Sequence, residues 1–309
     1  LDFDSMNDAQ PDAPRPQHES YPGGQDRARW HMDKGLQVFA EHFGRQPKGI
    51  WLSEGAVSAD AVGLLDEYGI QWTASGQGVW HNSCELSGFD QSINCNRALY
   101  RPARLENTGC NVFFRDDGLS DLIGFQYKDW HAEDAARDFC QHMENIANFL
   151  GDKVKDHVVT VILDGENAWE YYPHNAHYFL TAFYRAVSRH PRVEMTTFSD
   201  ALAQGAKPLG LPRLAAGSWV YGSFSTWIGE PDKNLGWDLL VEAKQSYDRV
   251  LASGRLDATA EQAATEQLAI CEGSDWFWWF GGYNSAETVS DFEQLYRQHL
   301  ARRGAGLHL

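Results

Sequence analysis

The chain has 309 residues, 43% of them hydrophobic and 13% aromatic, which describes a packed globular protein of one large domain or two ordinary ones. Its 43 acidic side chains against 26 basic ones leave a net charge of −17, arguing against nucleic acid or an anionic membrane surface as partner and fitting a neutral substrate. The five cysteines are odd in number, with no CxxC and no metal-like spacing, and no run approaches the length of a membrane span, so a cytoplasmic protein with reduced thiols and no metal or cofactor is expected. A Cys84–Cys95 bridge stays open.

The opening LDFDSMND reads as the tail of a strand running into a loop, and the natural protein is expected to be longer at its amino end. Residues 1–25, rich in Pro, Asp and Gly, read as loop. A helix is predicted over 26–43, with Met32, Leu36, Phe39 and Phe43 on one buried face and Gly44 as C-cap. A short strand at 49–52 ends in Ser53-Glu54-Gly55. Ser58 then caps a helix to residue 68, and 70–74 is the next strand. Residues 76–110 read as a long rim loop. The strand 111–114 ends in Arg115-Asp116-Asp117. A helix over 132–150 carries Phe139, Met143, Ile146 and Leu150 on one face, with Gly151 ending it.

Val158 to Leu163 form an apolar, β-branched run with the length of a buried strand, stopping at Asp164-Gly165-Glu166-Asn167. A helix over 178–189, a strand over 193–197 and an N-cap at Ser199 follow. Beyond about 205 the chain becomes turn-rich and aromatic, then helical over 235–253, 257–271 and 286–302. Strands alternating with helices point to an α/β fold with a parallel sheet, open or closed.

Glu54, Asp116 and Asp164 each follow a short apolar strand, a placement that brings them to one face of a parallel barrel. Two carboxylates on one face are what glycoside hydrolysis requires. The neighbouring Trp169, Tyr171 and Tyr172 suit a ring-shaped polar ligand; the bland alternative is an acidic turn capping the next helix. A second cluster, CEGSDWFWWFGGYNS, sets Asp275 before Trp276, Phe277, Trp278 and Trp279, as groove lining or as packing between layers. Trp219 and Trp227 carry the same two readings. His174 and His177 lack a third ligand positioned by sequence, and no metal is assigned to them.

WLSEGAVS at 51–58, LDGENAWEYY at 163–172 and EGSDWFWWFG at 272–281 resemble three of the five signature regions of glycoside hydrolase family 57. FRDDGLSDLIGF at 114–125 is similar to its amylopullulanase and α-amylase side. The resemblance implies an incomplete seven-stranded (β/α) barrel followed by a helical region, divided here as 1–205 and 206–309. It implies a retaining enzyme acting on α-glucans such as starch, glycogen or pullulan, with Glu54 as nucleophile and Asp164 as general acid/base. Asp275, Trp51, Glu166, Trp169, Trp276 and Trp278 would be substrate contacts, with Arg115 and Asp116 lining the same site. The family's first two motifs are absent, so the opening barrel strands are expected either from a missing amino-terminal part of the same protein or from another chain. Hydrolysis versus transfer and α-1,4 versus α-1,6 specificity stay open. The rivals are a non-catalytic α-glucan-binding fragment and a metal-dependent polysaccharide deacetylase.

Overall fold

A computed structural model describes residues 3–89, 93–151, 157–165 and 168–305. The chain forms two compact units: residues 1–47 with 223–309, and residues 48–222. In chain order, a 3-10 turn at Phe3–Asp8 precedes helix α1 (Gly24–Phe43). Gly44, at φ 67, closes that helix by donating its backbone N–H to the Ala40 carbonyl. The predicted apolar face of α1 is only half-covered: Met32, Leu36 and Phe39 are intermediate, and Phe43 is 65% exposed. The buried side chain of this helix is Arg27, drawn in by the Glu272 carboxylate.

The second unit starts with β1 (Gly49–Ile50) and α2 (Ala59–Glu67), capped by the Ser58 hydroxyl accepting from the Ala61 N–H at 3.1 Å. Then come β2 (Trp72–Ser75), α3 (Gln77–Leu86), α4 (Ile93–Ala98), β3 (Ala103–Leu105) and β4 (Asn111–Phe114). The stretch expected as a rim loop therefore holds two helices and a strand. A short helix α5 (Asp117–Asp121) leads to α6 (Ala132–Leu150), α7 (His177–Arg189), α8 (Phe198–Ala203) and β5 (Leu209–Leu211). The cap of α8 is Thr197, whose Oγ1 accepts from the Asp200 N–H, while Ser199 Oγ accepts from the Trp72 indole. No strand forms over 193–197; those residues run along the surface, mostly exposed.

The sheet is mixed, in the order β1-β2-β4-β3-β5. The pairs β1·β2, β2·β4 and β3·β5 are parallel, and β3 runs antiparallel to β4. The register Ile50↔Thr73 and Ser75↔Phe114 leaves the carboxyl ends of β1, β2 and β4 on one edge of the sheet. That edge is where an α/β sheet presents its functional groups.

Residues 158–163 are extended but do not enter a ladder. Their backbone bonds loops instead: the Val158 N–H donates to Tyr100 O at 2.7 Å, and Thr160 O accepts from the Asp116 N–H at 2.8 Å. The side chains still alternate. Val159, Val161 and Leu163 pack against the core built by Leu119, Ile123, Tyr127, Phe139, Tyr172 and Phe179, and Thr160 is itself buried.

The first unit is completed by α9 (Pro231–Ala252), α10 (Ala258–Cys271), α11 (Asp275–Trp279) and α12 (Ala286–Ala305). Lys233, fully buried in α9, donates Nζ to the carbonyls of Phe277, at 2.8 Å, and Phe280. Burial pulls this lysine down to about 8, against the raising influence of Glu230 and Asp232. No described helix is long and apolar enough to cross a membrane.

Candidate active site

Glu54 sits just past β1 in a turn over Ser53–Gly55, and its backbone is left-handed at φ 52, ψ 33. For a residue with a Cβ that conformation costs about 1–2 kcal/mol and needs surrounding structure to impose it. Two contacts do so. Ser75 Oγ, at the end of β2, donates to Gly55 O at 2.6 Å, and the Trp219 backbone N–H donates to Glu54 O at 3.3 Å. The half-buried carboxylate is held as well: Trp219 Nε1–H donates to Glu54 Oε2 at 2.9 Å. One carboxylate oxygen is thus oriented by an indole.

Trp219 owes its position to close backbone packing. Val57 and Gly217 exchange hydrogen bonds at 2.8 and 3.0 Å, laying the 217–222 segment beside the Glu54 turn. A Cβ on Gly217 would stand 2.4 Å from Gly222 O, and one on Gly76 would stand 2.6 Å from Trp219 Cα. Glycine at both positions lets the segment nest against the start of α3. The Trp51 ring covers Gly55 and meets Trp219 edge-to-face at 5.0 Å and 75°.

Arg115, buried just past β4, carries the arrangement onward. Its guanidinium lies over the Trp219 ring at 5.1 Å. Its Nε donates to Ile162 O at 3.0 Å, and its terminal nitrogens pair with Asp117, at 2.9 Å, and Asp121. Burial raises the Asp117 carboxyl above the usual carboxylate range, against the pull of Arg115. The guanidinium therefore ties the Glu54–Trp219 pair to the backbone two residues before Asp164. Asp164 is half-buried at the end of that extended segment.

Asp116 is buried and structural in its contacts. It caps α5 by accepting from the Leu119 N–H at 2.9 Å and accepts from Tyr100 OH at 2.8 Å. Burial, and then Asp116, raises the Tyr100 phenol, which keeps it a donor. The half-buried Trp169 packs at 5.7 Å from Tyr172 and 6.5 Å from Phe179, beside the core under α6 and α7. Glu166 lies outside the described residues. In the first unit, Asp275 is exposed at the start of α11. Trp276 donates its indole N–H to Ile270 O at 2.8 Å, and Trp278 lies 5.8 Å from Trp227.

The structure thus joins Glu54, Trp51, Arg115 and the approach to Asp164 through Trp219, a residue the sequence left open between groove lining and packing. The GSWVYG texture around it was the available signal, since glycines flanking a lone tryptophan point to a tightly held ring. Among the described residues no group of three or more His, Cys, Asp or Glu side chains is placed to hold a metal ion. The five cysteines are free thiols. Burial, then a hydrogen bond with neighbouring Cys95, raises Cys84 well above the usual thiol range.

The model of glycosyl hydrolase family 57 matches residues 19–212. The fold is similar to that of a branching enzyme of this family from Thermococcus kodakaraensis, at 16% identity and TM-score 0.67, covering 90% of this chain and 61% of that one. It is similar to the α-amylase AmyC from Thermotoga maritima, at 16% identity and TM-score 0.64, covering 88% of this chain and 61% of that one. It is also similar to a 4-α-glucanotransferase from Thermococcus litoralis, at 18% identity and TM-score 0.61, covering 89% of this chain and 44% of that one. The chain thus spans roughly three fifths or less of the length of these structures. No curated protein sequence matches it at a significant level.

Proposed function

Because the chain belongs to glycosyl hydrolase family 57, we propose that it forms the catalytic part of a retaining enzyme acting on α-glucans. The observation that carries this reading is the Glu54 carboxylate, mounted on a left-handed turn at the carboxyl edge of the sheet and oriented by the Trp219 indole. A nucleophile must be held in a reactive pose before substrate arrives, and this turn spends backbone strain to do that. Glu54 Oε2 is fixed by the indole, and the other oxygen attacks the anomeric carbon. Asp164 donates its proton to the departing oxygen. Water or a sugar hydroxyl then resolves the glycosyl-enzyme, with Asp164 taking the proton back.

The mixed sheet is, in this reading, part of an incomplete barrel. In this reading the catalytic segment takes in Trp219 beyond the expected boundary at 205, because its indole bonds Glu54. Asp275, Glu166, Trp276 and Trp278 are proposed substrate contacts on their family motifs alone. Among neighbours that hydrolyse, transfer and branch, the acceptor that reaches the glycosyl-enzyme decides the outcome.

The test is the stereochemistry and the dependence on both acids. Maltoheptaose incubated with the protein should give products whose new anomeric centre is α when first formed, followed by NMR. Glu54→Gln and Asp164→Asn should each abolish this while leaving the folded state intact. Glucan retardation in a native gel with no turnover in the parent would instead favour a binding fragment. Inverted products would contradict the double displacement.

A further inference from the structure

Two residues beyond Trp219 stands Tyr221, 85% exposed, the most exposed of the large hydrophobic side chains described. Its backbone is left-handed at φ 58. A bulky side chain in that region is an outlier, and a glycine or asparagine would make the same turn with less strain. The neighbouring backbone leaves little freedom to relax. Gly222 approaches Gly78 so closely that a Cβ on either would come 2.8–2.9 Å from the other's backbone. Asn82 Nδ2 donates to Gly222 O at 3.0 Å, and Val220 N–H donates to Ser218 Oγ at 2.9 Å. The turn is therefore pinned on both sides of a tyrosine that stays 85% exposed. Folding gains neither burial nor backbone comfort from this side chain.

We propose that Tyr221 is a stacking residue for a glucose unit of the α-glucan, at a subsite next to the one served by Glu54, and that it sets the preferred chain length. Successive Cα atoms are about 3.8 Å apart, so Tyr221 lies within roughly 8 Å of Trp219, whose indole bonds the Glu54 carboxylate. An exposed phenol ring offers a flat apolar face to the C–H face of a pyranose and a hydroxyl to its rim. The pinned turn holds that ring in place before the sugar arrives, which lowers the entropy lost on binding. This assignment rests on the α-glucan reading above.

The experiment uses the Glu54→Gln protein as an inactive binder, titrated calorimetrically with maltose, maltotriose, maltopentaose and maltoheptaose. Tyr221→Gly, Tyr221→Phe and Tyr221→Ala are added to it. The expected result is a loss of about five- to tenfold in affinity for the longer oligosaccharides with Gly and Ala, little change with Phe, and no change for the shortest ligand that still binds. Tyr221→Gly should at the same time raise Tm by about 2–4 °C, because glycine accepts the left-handed backbone. A structural role for the tyrosine would lower affinity and Tm together. Unchanged affinity for every length in Tyr221→Gly overturns the proposal and leaves the α-glucan reading standing. Failure of the Glu54→Gln parent to bind any of the four overturns both.

Discussion

Replacing Trp219 with Phe isolates the contact on which the proposed nucleophile depends. The change deletes the indole N–H that lies 2.9 Å from Glu54 Oε2. It keeps an aromatic ring against Trp51 and under the Arg115 guanidinium, contacts that stand at 5.0 and 5.1 Å in the native chain. A hydrogen bond to a charged group contributes about 1.5–3 kcal/mol. Because Glu54 is half-buried, and water can replace part of the lost bond, the lower end of that range applies. About 1.5 kcal/mol corresponds to roughly a tenfold fall in kcat, since each 1.36 kcal/mol is a factor of ten. The assay is the initial rate on maltoheptaose, counting both released reducing ends and transfer products, with Tm measured in parallel. The expected pattern is about a tenfold lower kcat with KM within about twofold and a Tm loss of a few degrees. A variant with native kcat would refute the claim that the indole orients the nucleophile. So would a loss of activity accounted for by unfolding at the assay temperature.

Gly217→Ala should be more damaging than its size suggests, because its Cβ meets the Gly222 carbonyl at 2.4 Å and neither side is a flexible side chain. The expected destabilisation is about 1–3 kcal/mol, read from chemical denaturation, together with reduced turnover as the Trp219 segment shifts. In the other unit, burial would raise Glu272, but hydrogen bonds from His31, Arg27 and Tyr21 outweigh it and hold the carboxyl down to about 2, against an ordinary value of 4.5. Because the folded carboxyl is the stronger acid, its stabilisation is fully present above about pH 4.5 and is lost as pH falls toward 2. Two to three pK units correspond to about 3 kcal/mol. Glu272→Gln should flatten that part of the stability–pH curve, and an unchanged slope between pH 5 and 3 would contradict the network. Lys233→Met should leave the Phe277 and Phe280 carbonyls without their buried donor and lower Tm, by an amount that calorimetry resolves.

Helices such as α1, α2 and α6 were legible because their signals are local, whereas α3 and α4 lay inside the stretch read as a loop. Gly44 and Gly151 end α1 and α6 where the pattern places them, and Ser58 caps α2 through its own side chain. The sheet was only partly legible. Strands β3 and β5 are three residues each, too short to show a period, and the antiparallel β3 breaks the expected parallel run. The 158–163 segment shows how a correct pattern can support an incomplete conclusion. Its alternating side chains do face a core, but its backbone partners are Tyr100 and Asp116, loop residues that no periodicity announces. Within 193–197, Val193 packs against that same core, while 194–197 stay exposed and form no strand. In α1 the apolar stripe was real, yet the buried partner is a charge pair formed 245 residues apart in the chain.

The site divides in the same way. Glu54 and Asp164 stand out as candidates from their placement after apolar runs and from the motifs around them. The Trp219–Glu54 bond joins residues 165 positions apart and is invisible to any local window. Arg115 was read as a charge at the end of a strand. Its stacking on Trp219 and its bond to Ile162 O needed coordinates, because both depend on how β4 and the 158–163 segment meet.

Trapping the glycosyl-enzyme tests the central claim most directly. The protein would be incubated with a fluorinated α-glucosyl fluoride that forms the intermediate faster than it breaks down, digested, and its peptides mapped by mass spectrometry. The account predicts one added sugar on the peptide containing Glu54, localised to that carboxylate by fragmentation and absent in Glu54→Gln. A sugar attached to a different residue, or full turnover by Glu54→Gln, would contradict it.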